Sequence, residues 1–252
     1  MTEARWAGRH EGKDSLRHEV WSALEHTSDG VGAVRSRIPN YVRAHEAAER
    51  LAALEIWKRA SVVKANPDPA QAHVRLCALR DSKILYTPVP ELTESFPFVC
   101  LDPADVRARG ISFENVMFSE GAVEIGIPVG FDEMEPFDLV VVGCVAVTRG
   151  GGRTGKGGGF ADLELGIFRD MGLVQPSTPI VTTVHPSQVV DDDRVAMVDH
   201  DTPLDWIITP DEAIETRTTY PRPGGVNWLS VQPDQLAGIP FLNDLRLRLE
   251  TP

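Results

Sequence analysis

The stretch Leu139-Val-Val-Val-Gly-Cys-Val-Ala-Val147, followed at once by Thr148-Arg-Gly-Gly-Gly-Arg-Thr-Gly-Lys-Gly-Gly-Gly-Phe-Ala-Asp-Leu-Glu164, decides the fold. Its first part is apolar on both faces. That predicts the central strand of a parallel sheet with helices over each side. After the glycines, Phe160, Leu163, Ile167, Phe168 and Met171 share one helical face. Strand, glycine loop, helix is an arrangement that lets backbone N–H groups converge on an anion. Glycine permits positive φ and close approach, and a helix N-terminus adds partial positive charge. Arg149, Arg153 and Lys156 contribute full charges, so the predicted ligand is a polyphosphate.

Working outward, short apolar segments alternate with helical or turn segments: Ser61–Lys64, Ile84–Val89, Phe98–Leu101, Ile180–Val184 and Trp206–Thr209. Such alternation implies right-handed crossovers and an α/β layered domain. Two helices precede it. Lys13–His26 carries Leu16, Val20, Trp21 and Leu24 at helical spacing, and Arg43–Arg59 carries Ala47, Leu51, Leu54 and Trp57. The main unit is expected over residues 1–216. After the breaker cluster Tyr220-Pro-Arg-Pro-Gly-Gly225, residues 217–252 read as an appendage. It would pack on the main domain through Trp228 or serve a homo-oligomer contact.

Composition bounds the function. Of 252 residues, 25 are Lys or Arg and 37 Asp or Glu, for a net charge of −12. That balance speaks against broad nucleic-acid or anionic-membrane binding. No apolar run approaches the ~20 residues of a membrane helix, and residues 1–12 show no leader-like core. Cys77, Cys100 and Cys144 are odd in number and widely spaced, which predicts a cytoplasmic chain without disulfides or a cysteine zinc site. Cys144 reads as a buried small hydrophobe.

Gly150, four residues, Gly155 and Lys156 nearly match a Walker A loop, but Gly157 stands where a magnesium-binding Ser or Thr is needed. Phe160 in place of a third glycine breaks the dinucleotide G-x-G-x-x-G pattern. Bound phosphates call for a hard divalent cation held by one or two carboxylates. Asp162 and Glu164, in the first turn of the following helix, are the first candidates; as helix-terminal acids they need no metal to be stabilising. His185 ends a strand and reads as a hydrogen-bonded structural histidine. Asp191-Asp-Asp193 reads as a solvated loop.

The segment Gly152–Asp162 resembles the G-x-R-x-G-x-G-x-G-Y-Y-D signature of 5-formyltetrahydrofolate cyclo-ligases. His200-Asp201-Thr202-Pro203-Leu204-Asp205-Trp206-Ile207-Ile208-Thr209 resembles that family's H-D-x-x-x-D segment, and Lys13-x-x-Leu16-Arg17 its N-terminal K-x-x-L-R helix. The resemblance implies a three-layer α/β/α fold like ribose-5-phosphate isomerase and CoA transferases. It also implies ATP- and magnesium-dependent closure of 5-formyltetrahydrofolate to 5,10-methenyltetrahydrofolate. By match, Gly152, Arg153, Thr154, Gly155, Lys156, Gly157, Gly158, Gly159, Phe160 and Ala161 would wrap the ATP phosphates. Arg153 and Lys156 would stabilise developing charge, Asp162 and Asp201 would approach Mg2+, and Lys13 and Arg17 would reach the nucleotide. Such a reaction asks the protein mainly to position partners and neutralise charge.

The sequence also departs from that pattern. Phe160-Ala161 replaces Tyr-Tyr, Leu163 replaces Arg, and the family's folate-contacting Glu is replaced around Asn66-Pro-Asp-Pro-Ala-Gln-Ala-His73. These features resemble a divergent branch that includes the methenyltetrahydrofolate-synthetase domain of some animal proteins. Two alternatives therefore stay open: an ATP-using paralogue acting on a different, thiamine-related heterocycle, or a non-catalytic nucleotide-binding module.

Overall fold

The computed structural model describes residues 10–89 and 97–250; the reading of residues 1–9 as free of a leader lies outside them. The first half runs α1 (Glu11–Thr27), α2 (Ala44–Ala52), α3 (Glu55–Arg59), β1 (Val62–Ala65), α4 (Ala72–Arg80), β2 (Ile84–Pro88) and β3 (Phe98–Leu101). Then come α5 (Pro103–Ala108), α6 (Phe113–Val116), α7 (Ser119–Ile125), β4 (Ile127–Val129), β5 (Leu139–Val141), β6 (Ala146–Thr148) and β7 (Arg153–Thr154). The chain closes with α8 (Phe160–Asp170), β8 (Ile180–Thr183), β9 (Val189–Val190), β10 (Trp206–Ile208), β11 (Ala213–Glu215), α9 (Pro233–Gly238) and α10 (Phe241–Glu250).

Eight strands form one sheet in the order β11-β10-β8-β5-β1-β2-β3-β4. The run β10-β8-β5-β1-β2 is parallel, and only the edge strands β11, β3 and β4 pair antiparallel. Side chains alternate across a strand, so successive residues should enter opposite cores. They do. Val63, Leu139, Val141, Val181 and Ile208 join Leu16, Trp21 and Leu51 from α1 and α2. Val62, Val140, Ile180 and Ile207 join Leu165 and Phe168 of α8 and Leu242 of α10. Two apolar layers on opposite faces of one sheet make the three-layer α/β/α architecture. Fully burying each such Val, Leu or Phe contributes roughly 1.5–3 kcal/mol. Phe168 sits amid Phe98, Phe131 and Phe137, with ring centroids 4.9–6.0 Å away.

Two expectations need correction. Leu139–Val147 is not one strand. It divides into β5 and β6, and β6 leaves for a second, three-stranded sheet, β7-β6-β9. The change of sheet is made at Gly143, where a Cβ would come within 2.9 Å of the Asp68 carboxylate and 3.0 Å of Ile38. A side chain there has no room. Nor is Arg43–Arg59 one helix: the chain turns extended at Leu54 (φ −76°, ψ 150°) between α2 and α3. That turn carries Trp57 into the core, where its Nε1 donates to Asp81 Oδ2 at 2.7 Å.

The three cysteines are free thiols, with Cys144 buried as expected. Among the described residues no helix is long and apolar enough to cross a membrane. Residues 217–250 lie against the α8 face: Ile239, Leu242 and Leu245 are buried in its core, with Trp228 packed beside them.

Candidate functional site

The glycine run does two separate jobs. Gly150–Gly152 turns the β6–β7 hairpin, with Gly151 at φ +93°, where L side chains are disfavoured. The Gly152 N–H donates to Thr148 Oγ1 at 3.0 Å, so this glycine belongs to the hairpin and does not line the cavity, contrary to its expected phosphate contact. The second group, Gly155–Gly159, leads into α8. Gly157 (φ +104°) and Gly159 (φ +69°) supply the left-handed conformations, and Gly159 caps the helix without any side-chain cap. The first turn of α8, Phe160 to Asp162, thus borders the cavity with no side-chain cap of its own.

This loop borders a cavity of about 690 Å³ at the carboxyl edge of β1. Ligands gather at that edge in open parallel sheets. The three matched sequence segments meet there. Lys13, Arg17, Arg153–Asp162 and Asp201 all line the cavity, although they come from α1, the loop and the segment after β9. From α1, Arg17 Nε donates to the Gly155 carbonyl at 2.6 Å and its Nη2 to Thr154 Oγ1 at 2.8 Å. Lys13 forms a buried ion pair with Asp201, whose Oδ2 also accepts the Val198 N–H at 2.8 Å. Arg153 Nε donates to the Thr202 carbonyl at 2.7 Å and its Nη2 pairs with Asp162. Asp162 Oδ1 in turn accepts the Thr202 N–H at 2.8 Å. Burial opposes the Arg153 charge, but Asp162, Cys144 and Asp201 outweigh it and hold its pKa above the ordinary value.

Lys156 differs from these cations. It is exposed and forms no ion pair among the described residues. Its charge reaches Asp68 across the cavity, where burial raises the carboxyl pKa and Lys156 and Arg75 oppose the rise. Asp162 and Asp201 each accept through one oxygen. Asp162 Oδ2 and Asp201 Oδ1 have no hydrogen-bond donor among the described residues. Among those residues no three Asp, Glu, His or Cys side chains form a ready metal cluster. A cation here would be completed by phosphate oxygens and water, as suits magnesium.

Sequence reasoning missed three features. Lys64, pointing from β1 toward α8, is fully buried in an ion pair with Glu164 and donates to Asn66 Oδ1 at 2.6 Å. Burial lowers the Lys64 pKa and raises that of Glu164, each against the pull of the partner. Arg75, also fully buried, grips main-chain carbonyls: Met117 (2.8 Å), Asp68 (3.2 Å), Pro67 (3.2 Å) and Asn66. It thereby fixes two cavity walls, 66–68 and 117–120. The available signals were a lysine inside an apolar strand and a glutamate on an apolar helix face. The third feature is that residues 225–235 also border the cavity. His185 caps a short 3₁₀ turn, its Nδ1 2.8 Å from Ser187 Oγ, and takes no part in the cavity. Asp192 Oδ1 accepts the Gly150 N–H at 2.8 Å, so Asp191–Asp193 supports the hairpin.

The chain is 38% identical over 238 residues to the methenyltetrahydrofolate synthase domain-containing protein of Mus musculus, covering 94% of this chain and 63% of that protein. Against the Danio rerio protein of the same name identity is 39% over 241 residues, covering 94% of the chain and 62% of the relative. The chain thus spans a little over three-fifths of the curated relatives it matches. The solution structure of Aquifex aeolicus 5,10-methenyltetrahydrofolate synthetase superimposes with a TM-score of 0.50 at 18% identity, over 82% of this chain and 95% of that one, and shares the fold. Residues 9–210 match the model of the 5-formyltetrahydrofolate cyclo-ligase family, and the chain belongs to that family.

Proposed function

We propose that the protein uses ATP and Mg2+ to convert 5-formyltetrahydrofolate to 5,10-methenyltetrahydrofolate, forming a C–N bond. The observation that carries this reading is the convergence on one cavity of a helix N-terminus without a side-chain cap, two left-handed glycines and Lys156, which forms no ion pair among the described residues. Each suits a phosphate chain. The family supplies the substrate class.

In this reading the first-turn amides of α8 and Lys156 bind the phosphates. Arg17 holds the loop closed through Gly155, and Arg153 locks Asp162 against Thr202. Arg153 is thus a positioning residue whose field adds to that of Lys156. Mg2+, when bound, neutralises phosphate charge; Asp162 Oδ2 and Asp201 Oδ1 are the oxygens offered to it. The formyl oxygen attacks the γ-phosphorus and ADP leaves. N10 then attacks the formyl carbon, and inorganic phosphate departs with the formyl oxygen and the proton from N10. The protein's part is alignment and charge stabilisation.

The test is the near-ultraviolet absorbance of the methenyl product. It is expected only with protein, ATP, Mg2+ and 5-formyltetrahydrofolate together. No product at high enzyme concentration would reject the folate assignment.

A further inference from the structure

Asp68 stands where an aspartate ordinarily serves its own backbone. It holds the N-cap position of the 3₁₀ turn Pro69–Gln71, with φ −59° and ψ 147°, yet its side chain makes no capping hydrogen bond. An N-cap aspartate normally accepts from an amide two or three residues on. Here the carboxylate turns away from the turn and lines the cavity. Its Oδ2 lies over Gly143, 2.9 Å from where a Cβ would stand. The glycine makes room for this oxygen.

The placement is rigid. Pro67 and Pro69 flank the residue, and the following proline confines Asp68 to extended backbone. Its carbonyl accepts the Gln71 N–H at 3.0 Å and Arg75 Nη1 at 3.2 Å. The side chain is oriented too. Asn66 Oδ1 accepts from Lys64 Nζ at 2.6 Å, and the Asn66 amide donates to the Asp68 carboxyl. Asp68 nonetheless forms no ion pair among the described residues. A half-buried carboxylate with one neutral donor and no cation on it keeps acceptor capacity for a ligand.

That capacity selects the ligand. A carboxylate repels phosphate, so the nucleotide's tail does not belong on this wall. Among the described residues no three Asp, Glu, His or Cys side chains gather as a cation site, and Lys156, Arg75 and Lys64 already bear on Asp68 with positive charge. Ile38 sits beside it at Gly143, and Pro88, Val89 and Phe118 are further apolar members of the lining. Such walls suit a flat ring. Two carboxylate oxygens match a ring N–H with an exocyclic amino group next to it, through two parallel N–H···O bonds. A 2-amino-4-oxopyrimidine has that edge. A 4-aminopyrimidine does not, because a ring-nitrogen lone pair beside its amino group would face the carboxylate.

We propose that Asp68 is a specificity-determining residue for the organic substrate and binds the 2-amino-4-oxopyrimidine edge of a pterin ring. This rests on the folate reading of the site, and it sets the site against a thiamine-type aminopyrimidine.

Calorimetry on the full chain tests it, in wild type and Asp68→Asn, which keeps the shape and removes the charge. The ligands are 5-formyltetrahydrofolate, its analogue lacking the 2-amino group, ATP with Mg2+, and Mg2+ alone. Loss of charge-assisted hydrogen bonds weakens binding about tenfold to a hundredfold. That loss is expected for 5-formyltetrahydrofolate in Asp68→Asn, with ATP affinity unchanged. The analogue should bind wild type more weakly by a similar factor and lose little more in the variant, a non-additivity that a structural role would not produce. Unaltered folate affinity in Asp68→Asn, or equal losses for folate and analogue, overturns the proposal. So does binding of Mg2+ alone that vanishes in the variant, which would make Asp68 a metal ligand. If wild type binds ATP but not 5-formyltetrahydrofolate, the folate reading itself falls and this one with it.

Discussion

The loop that borders the cavity and the buried layer beside it use charge in different ways. At the loop, Lys13, Arg17 and Arg153 are each tied to Asp201, Gly155 or Thr202, and Lys156 alone of these four forms no hydrogen bond or ion pair among the described residues. In the buried layer, Lys64 pairs with Glu164, and Arg75 has only carbonyls for hydrogen-bond partners. The loop keeps one exposed cation. The buried layer spends its cations on holding the structure in place. Buried charge in this protein is therefore chiefly architectural, and the cation proposed to meet the ligand is the exposed one.

The sharpest way to break that contrast is Lys64→Met. It leaves Glu164 buried and unpaired, and the expected loss is about 3–5 kcal/mol of stability in urea unfolding. Adding Glu164→Leu should recover most of it, because the double variant leaves no orphaned charge. If Lys64→Met alone costs nothing, the pair is not structural. Next in size is Arg75→Met, which strands four carbonyls and should cost about 2–3 kcal/mol. Hydrogen exchange should quicken in residues 66–68 and 117–120 together. Faster exchange in one wall only would show that Arg75 does not couple them.

At the loop the effect moves from stability to binding. Lys156→Ala should leave the melting temperature unchanged and weaken ATP about tenfold to a hundredfold, the scale of a lost charge-assisted contact. A parallel fall in melting temperature would contradict the assignment of Lys156 as a free cation.

The smallest effect concerns the C-terminal helix. Arg248 holds Asp132 at 2.7 and 3.0 Å, and this hydrogen-bonded pairing keeps the Asp132 pKa below its usual value. A depressed carboxyl stabilises the fold above the unfolded pKa of about 4, and that contribution disappears as pH falls through the folded value. The melting difference between wild type and Arg248→Ala should thus be small at pH 7 and shrink below about pH 4. A difference independent of pH would exclude the pair as its source.

How much of this was legible in the sequence follows from distance along the chain. The glycine loop, the helix after it and the apolar strands are local patterns, and the α/β/α class follows from their order. The convergence of Lys13, Arg17 and Asp201 on the loop was accessible through the family resemblance. What could not be read joins distant residues by chemistry without a local signature. Lys64 and Glu164 are a hundred positions apart, Arg75 and Met117 forty-two, and Gln235 and Gly158 seventy-seven. The break between β5 and β6 escaped for another reason: Gly143 within it packs against Asp68 and Ile38, which lie far off in sequence. The hairpin role of Gly152 could not be read because one glycine run serves a hairpin and a loop in succession.

The most direct test of the central claim is a crystal structure of the chain soaked with ATP and Mg2+. The account predicts phosphate density against the first-turn amides of α8, between Gly157 and Ala161 and beside Lys156. Well-ordered nucleotide whose phosphates lie away from that loop would contradict it.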